Sequence, residues 1–451
     1  MTGKVEMEEK KILTLKELIP MAIGNVLGAG AFTHIGFAIG YTGYSAWLAY
    51  LAAVILGILF CLPIIIMTSA LQLDGGVYTL VGQILGKRAA GIYASGFLFY
   101  FPGIAIVALS LGNYVHSLWP AISPRWCAVA VVTLFYLLNL AGVKKISKAQ
   151  KIIMAVTLCA LFGFVFFGVL HISPDVFAFS REDFLQGGVK GFFKAVFILF
   201  YSVTGYYFIM FQGRRAKEAT KNIPVSMCVA AGTILLLYPG IGLVAAGVLP
   251  LETVANQPLT RVAEEIFPGG LFVVFMLCGP LMALMGNINS LFLAYTEPIQ
   301  QAAEDGWFGN PLKKRNKHGT PVVVSTLLWL VGSLPILLGL DIATITNSYM
   351  LLDYILIYFM MFSLLRVPKL CPVQWQKRRI RIPTKLYFCM VGISITIETI
   401  TIIAASTSIT PVILVISLLI IGALFAYALL RDRSGKVRMD EGGKEDYEQS
   451  N

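Results

Sequence analysis

The chain has 451 residues, of which 57% are hydrophobic and only 13% charged, and its mean hydropathy is +0.78. A soluble chain carries roughly twice that share of charge, so the composition excludes an ordinary soluble domain and indicates an all-α polytopic membrane protein. The net charge of +11 sits largely in short loops between apolar segments, which reads as membrane topology and not as a nucleic-acid surface.

In chain order, Met1 to Lys16 mixes Lys4, Lys10 and Lys11 with Glu6, Glu8 and Glu9. It lacks the layout of a signal peptide, so the first apolar segment is expected to stay in the mature protein. Segments long enough to cross about 30 Å of hydrocarbon then recur near 17–40, 44–71, 89–118, 125–142, 148–170, 191–212, 224–249, 269–301, 321–339, 342–366, 384–406 and 410–431. These are twelve expected transmembrane helices. Basic residues crowd alternate loops: Lys87 and Arg88; Lys144, Lys145, Lys148 and Lys151; Arg214, Arg215, Lys217 and Lys221; Lys313, Lys314, Arg315 and Lys317; and a run from Arg366 to Lys385. The opposite loops hold only Arg125, Arg181, Lys190 and Arg261. The positive-inside rule then places both termini in the cytoplasm of a multi-pass cell-membrane protein. The expected organisation is a cytoplasmic segment over 1–16, a transmembrane domain over 17–431 and a disordered, polar tail over 432–451.

The first segment carries Ile23-Gly24-Asn25-Val26-Leu27-Gly28-Ala29-Gly30-Ala31-Phe32. Three glycines in seven residues cost about 1 kcal/mol each in a helix interior relative to alanine. Lipid cannot satisfy the backbone groups that a break frees, so a broken span is tolerated where it lines a wet, protein-walled cavity. There, bare amides at the start of the following half-helix bind anionic groups. The alternative is close helix packing through small residues. A second interruption is expected in the sixth segment, at Phe200-Tyr201-Ser202-Val203-Thr204-Gly205-Tyr206-Tyr207. Interruptions in corresponding segments of two inverted repeats, helices 1–5 and 6–10, mark a transporter's binding site near the midplane.

Five short motifs extend this reading. Gly24-Asn25-Val26-Leu27-Gly28-Ala29-Gly30 is similar to the broken-helix motif of the amino acid–polyamine–organocation family of permeases. Asp74-Gly75-Gly76-Val77-Tyr78 resembles the entry to that family's third helix, and Asn139-Leu140-Ala141-Gly142-Val143-Lys144 with Ser147 and Gln150 resembles its boundary between helices 4 and 5. Lys217-Glu218-Ala219-Thr220-Lys221-Asn222-Ile223-Pro224 resembles the loop after helix 6, and Ala303-Glu304-Asp305-Gly306-Trp307-Phe308 with Asn316-Lys317-His318-Gly319-Thr320-Pro321 the loop after helix 8.

The resemblance implies two inverted five-helix repeats plus two peripheral helices, with helices 1 and 6 broken at the midplane. It implies that a substrate α-carboxylate sits on the amides of Gly28, Ala29 and Gly30. The α-ammonium would sit on the carbonyls of Val26, Tyr201, Ser202 and Thr204, with Tyr201 also where the family's aromatic gate projects. The sequence departs from the family in three places. Tyr207 stands where some basic amino acid exchangers carry an acid, Thr157 where sodium-independent relatives carry a lysine, and Arg214-Arg215 where an acid often opens the loop after helix 6. Coupling and side-chain preference are thereby open.

Other residues carry two readings each. Asp353, mid-depth in the tenth segment, reads as a counter-charge to a cationic substrate or a protonatable coupling site, against a hydrogen-bonded core acid. Glu398, similarly deep in the eleventh, reads first as a protonated or interface residue if that helix is peripheral, and second as a functional acid. His34, one turn past the first break, titrates, binds substrate or is structural. Asn287 and Ser290 read first as interhelical hydrogen bonds and second as oxygen ligands for sodium. Seven cysteines are scattered singly, so neither a disulfide framework nor a zinc site is supported, and no metal or cofactor is expected. No nucleophile–base pair, phosphate loop or carboxylate dyad indicates an enzyme. The expected function is a secondary active amino acid transporter, by proton-coupled symport or exchange. The alternatives are an amino acid-sensing transceptor on the same fold and a polyamine or cationic amino acid exchanger. The expected partners are a small amino acid and the lipid bilayer, with no nucleic acid and no oligomeric state specified.

Overall fold

The computed structural model describes residues 11–406 and 411–439. Residues 1–10, the position at 410 where the twelfth segment was expected to begin, and the tail beyond 439 lie outside it. Among the described residues the backbone is helical, and extended pairing is confined to isolated bridges of Leu13 with Ala216 and Arg315 with Pro321. The helices are α1 Leu15–Val26, α2 Ala29–Thr42, α3 Ala46–Thr68, α4 Val77–Leu85, α5 Lys87–Phe97, α6 Gly103–Leu118 and α7 Pro124–Leu140. They continue as α8 Val143–Val169, α9 Gly188–Phe200, α10 Ala219–Gly247, α11 Leu251–Val254, α12 Thr260–Ile266 and α13 Gly270–Met276. The last are α14 Met282–Glu304, α15 Val322–Leu337, α16 Ile342–Leu370, α17 Pro372–Gln376, α18 Thr384–Ser406 and α19 Pro411–Arg433. Eight helical stretches among the described residues are long and apolar enough to cross a membrane. The chain is a polytopic membrane protein.

Local sequence explains where the central elements start and stop. Thr14 and Glu17 form a capping box at the head of α1, with the Thr14 N–H donating to Glu17 Oε2 at 2.9 Å. The first expected segment divides into α1 and α2, joined only by Leu27 and Gly28. The sixth divides into α9 and a run of 3₁₀ turns over Gly205–Gln212, with Tyr201 to Thr204 between them. The third segment is bent as well. A 3₁₀ turn at Leu98–Tyr100 separates α5 from α6, and Pro102, which has no N–H to donate, caps α6.

The divided first span lies at the centre of the bundle. Its first half packs on α8, α10 and α14, and its second half on α9. Around it, α3 packs on α9, α10 and α18, and α16 on α6 and α18. One end of the bundle is tied by ion pairs: Arg215 to Glu297 at 2.7 Å, both buried, and Glu304 to Arg214 at 2.5 Å and Arg315 at 3.1 Å. Both described chain ends lie there. Leu13 pairs with Ala216, and the Arg438 N–H donates to the Asp305 carbonyl at 2.8 Å. Asp432 sits beside them, 2.7 Å from both Lys87 and Arg88.

Candidate substrate cavity

At the first interruption, Gly28 is extended (φ −131°, ψ −163°) and caps α2. The first turn of a helix has no intrahelical acceptors for its N–H groups, so the amides of Gly28, Ala29 and Gly30 stand at the positive end of α2. The carbonyls at the end of α1 are held from neighbouring helices. Asn287 Nδ2 donates to the carbonyls of Gly24 and Asn25 at 2.7 and 3.1 Å, and the Tyr238 hydroxyl donates to that of Val26 at 2.9 Å. Asn287 thus makes the interhelical bonds read from the sequence.

Glycine is required here for close approach. A Cβ on Gly30 would lie 1.9 Å from Ser202 Oγ, and one on Gly205 would lie 2.3 Å from the Asn25 carbonyl oxygen. The two interruptions therefore touch, backbone to backbone. Ser202 Oγ also shares a 2.9 Å hydrogen bond with His34 Nδ1, which ties α2 to the second interruption.

A cavity of about 260 Å³ opens where the interruptions meet. Val26, Gly28, Gly30, His34, Tyr201, Ser202, Thr204 and Asp353 all line it, whereas Thr157 is not among the described lining residues. Thr157 is buried in α8, and its hydroxyl has no hydrogen-bond partner among the described residues. Asp353 is 8% exposed; its Oδ1 accepts from the Tyr100 hydroxyl and its Oδ2 from that of Tyr201 at 3.3 Å. Tyr201, 39% exposed, thus joins the second interruption to α16. Tyr100 was not singled out in the sequence. Only the bend before Pro102 turns it inward, and an aromatic residue in an aromatic-rich span carries no signal of its own.

Glu398 departs from its expected place. It is 2% exposed and lines the same cavity as Asp353, together with Thr401 from the same helix, because α18 packs on both α3 and α16. No Lys or Arg lines the cavity among the described residues; Lys194 is exposed and lies over the Tyr41 ring at 5.6 Å.

A membrane bundle with a polar cavity between two interrupted spans has the construction of a solute carrier. The sequence profile of the family described as amino acid permease matches residues 13–430, and the chain belongs to that family. It is 22% identical over 370 residues to an uncharacterized protein of Methanocaldococcus jannaschii, covering 78% of this chain and 82% of the other. It is 23% identical over 347 residues to the amino-acid permease RocE of Bacillus subtilis, covering 73% of each. It is also 23% identical over 369 residues to solute carrier family 12 member 8 of Mus musculus, covering 75% of this chain and 50% of that one. The chain is a transport protein and not an enzyme.

Proposed function

We propose that the chain is a secondary active amino acid transporter that alternates access to the cavity between its two interrupted helices. The observation that carries this reading is the meeting of the interruptions. Residues of the first turn of α2 and of both breaks line one cavity, and the amides and carbonyls such breaks offer complement the two charges of a zwitterion. The α-carboxylate rests on the amides of Gly28, Ala29 and Gly30. The α-ammonium rests on the carbonyls of Val26, Tyr201, Ser202 and Thr204. The Val26 carbonyl already accepts from Tyr238, but a carbonyl oxygen has a second lone pair.

Twelve spans, with helices 1–5 and 6–10 as inverted repeats, give the frame for this motion. The end tied by the Arg215–Glu297 pair is the cytoplasmic one, since the basic loops gather there, and the membrane is the cell membrane. Asp353 carries a coupling proton if transport is symport, and counter-transport of a second amino acid replaces that role if it is exchange. The test is uptake of a panel of radiolabelled amino acids into proteoliposomes holding the purified chain, with and without a proton gradient. Accumulation above protein-free liposomes is expected. Binding of amino acids with no uptake under any gradient or preload would overturn transport in favour of sensing.

A further inference from the structure

We infer that Glu398 and Asp353 together form a subsite for a cationic group at the far end of the substrate's side chain, so that the preferred cargo is an amino acid with a side-chain ammonium or guanidinium. This rests on the amino acid reading above and adds the side-chain class to it.

Glu398 is the unusual member of the pair. It sits in α18, which the resemblance assigns to the periphery, yet the residue lines the cavity at 2% exposure. No hydrogen-bond donor reaches its Oε1 among the described residues. Thr401 and Ser394, one turn to either side on its own helix, donate instead to the carbonyls of Ile397 and of Phe60 and Met390, each at 3.0 Å. Asp353 is already oriented by Tyr100 and Tyr201, so among the described residues the acid with an oxygen left without a donor is Glu398. A buried carboxylate oxygen without a donor is costly, and an acid inside a membrane bundle marks a ligand or ion path.

The rest of the cavity wall points the same way. Among the described residues its lining includes two acids and no Lys or Arg, and one histidine, His34 of α2, which is bonded to Ser202. The zwitterion's own charges are matched by backbone amides and carbonyls, which leaves both carboxylates for a further positive charge. A cation with a short alkyl stem meets that need, and it could belong to a basic amino acid or to a diamine. The α2 amides distinguish these, because only the amino acid has a carboxylate to place on them.

The experiment is competition binding to the full-length purified protein at pH 7, with lysine, its uncharged isostere norleucine, and cadaverine as probes. Wild type is expected to bind lysine at least about tenfold more tightly than norleucine, and cadaverine more weakly than lysine. In Glu398→Gln the lysine-to-norleucine ratio should collapse towards one. Glu398→Asp, which keeps the charge, should retain most of it, and this comparison separates charge recognition from misfolding. A wild-type preference for norleucine, or an unchanged ratio in Glu398→Gln, would overturn the acid subsite while leaving amino acid transport standing. Cadaverine competing as well as lysine would support the acid subsite and overturn the amino acid reading.

Discussion

At the scale of single residues, the glycines of the first interruption act by what they leave out. Gly28 is extended and any residue could adopt its backbone angles, but a Cβ there would lie 3.2 Å from Asn287 Cγ, and one on Gly30 would lie 1.9 Å from Ser202 Oγ. Gly30→Leu should therefore lose amino acid binding by at least about a hundredfold while still inserting into membranes, as read by binding to detergent-purified protein of normal yield. Unchanged affinity would place the site elsewhere. In the sequence these glycines stand out by their helix cost, with close packing as the rival explanation. Both hold, because the break and the close approach fall at the same positions. Asp353→Asn should alter either the pH profile of uptake between about pH 5 and 8 or the preference between lysine and alanine. Superimposable profiles with unchanged selectivity would leave Asp353 a buried structural acid. Glu398 shows what a lone sequence hides. Its depth in the eleventh segment was legible, since a carboxylate interrupts an apolar run. Where the face it shares with Ser394 and Thr401 points was not, because hydroxyl residues also lie elsewhere around that helix and its packing on α3 and α16 is what sets Glu398 at the cavity.

At the scale of elements, the two interrupted spans were legible because glycine and β-branched residues cluster where a continuous helix should be. The bend between α5 and α6 was less so: Pro102 was its only sign, and the expected segment ran straight from 89 to 118. The ion pairs at the end carrying both described termini were visible only as charges in separate loops. Arg215 and Glu297 are buried as a pair, at 5% and 1% side-chain exposure. Removing one partner of such a pair costs about 3–5 kcal/mol, whereas replacing both costs much less. Glu297→Gln should thus lower the midpoint of thermal unfolding in detergent sharply, and Glu297→Leu with Arg215→Leu should recover part of the loss. Equal destabilisation by the single and the double change would show that the two charges do not stabilise each other.

At the scale of the whole molecule, the divided first span is packed among α8, α9, α10 and α14, so both halves of its interruption are braced by neighbours beside the cavity. This placement makes the substrate's two ends a determinant of binding for every amino acid, whatever its side chain adds. The most direct measurement is uptake of labelled alanine into proteoliposomes in competition with unlabelled alanine, alaninamide and N-acetylalanine. Each derivative removes one of the charges addressed by the two interruptions and leaves buried polar groups without a match. Alanine should compete fully and both derivatives should lose at least about tenfold in potency; alaninamide or N-acetylalanine competing as well as alanine would contradict the binding of a zwitterion between the two breaks.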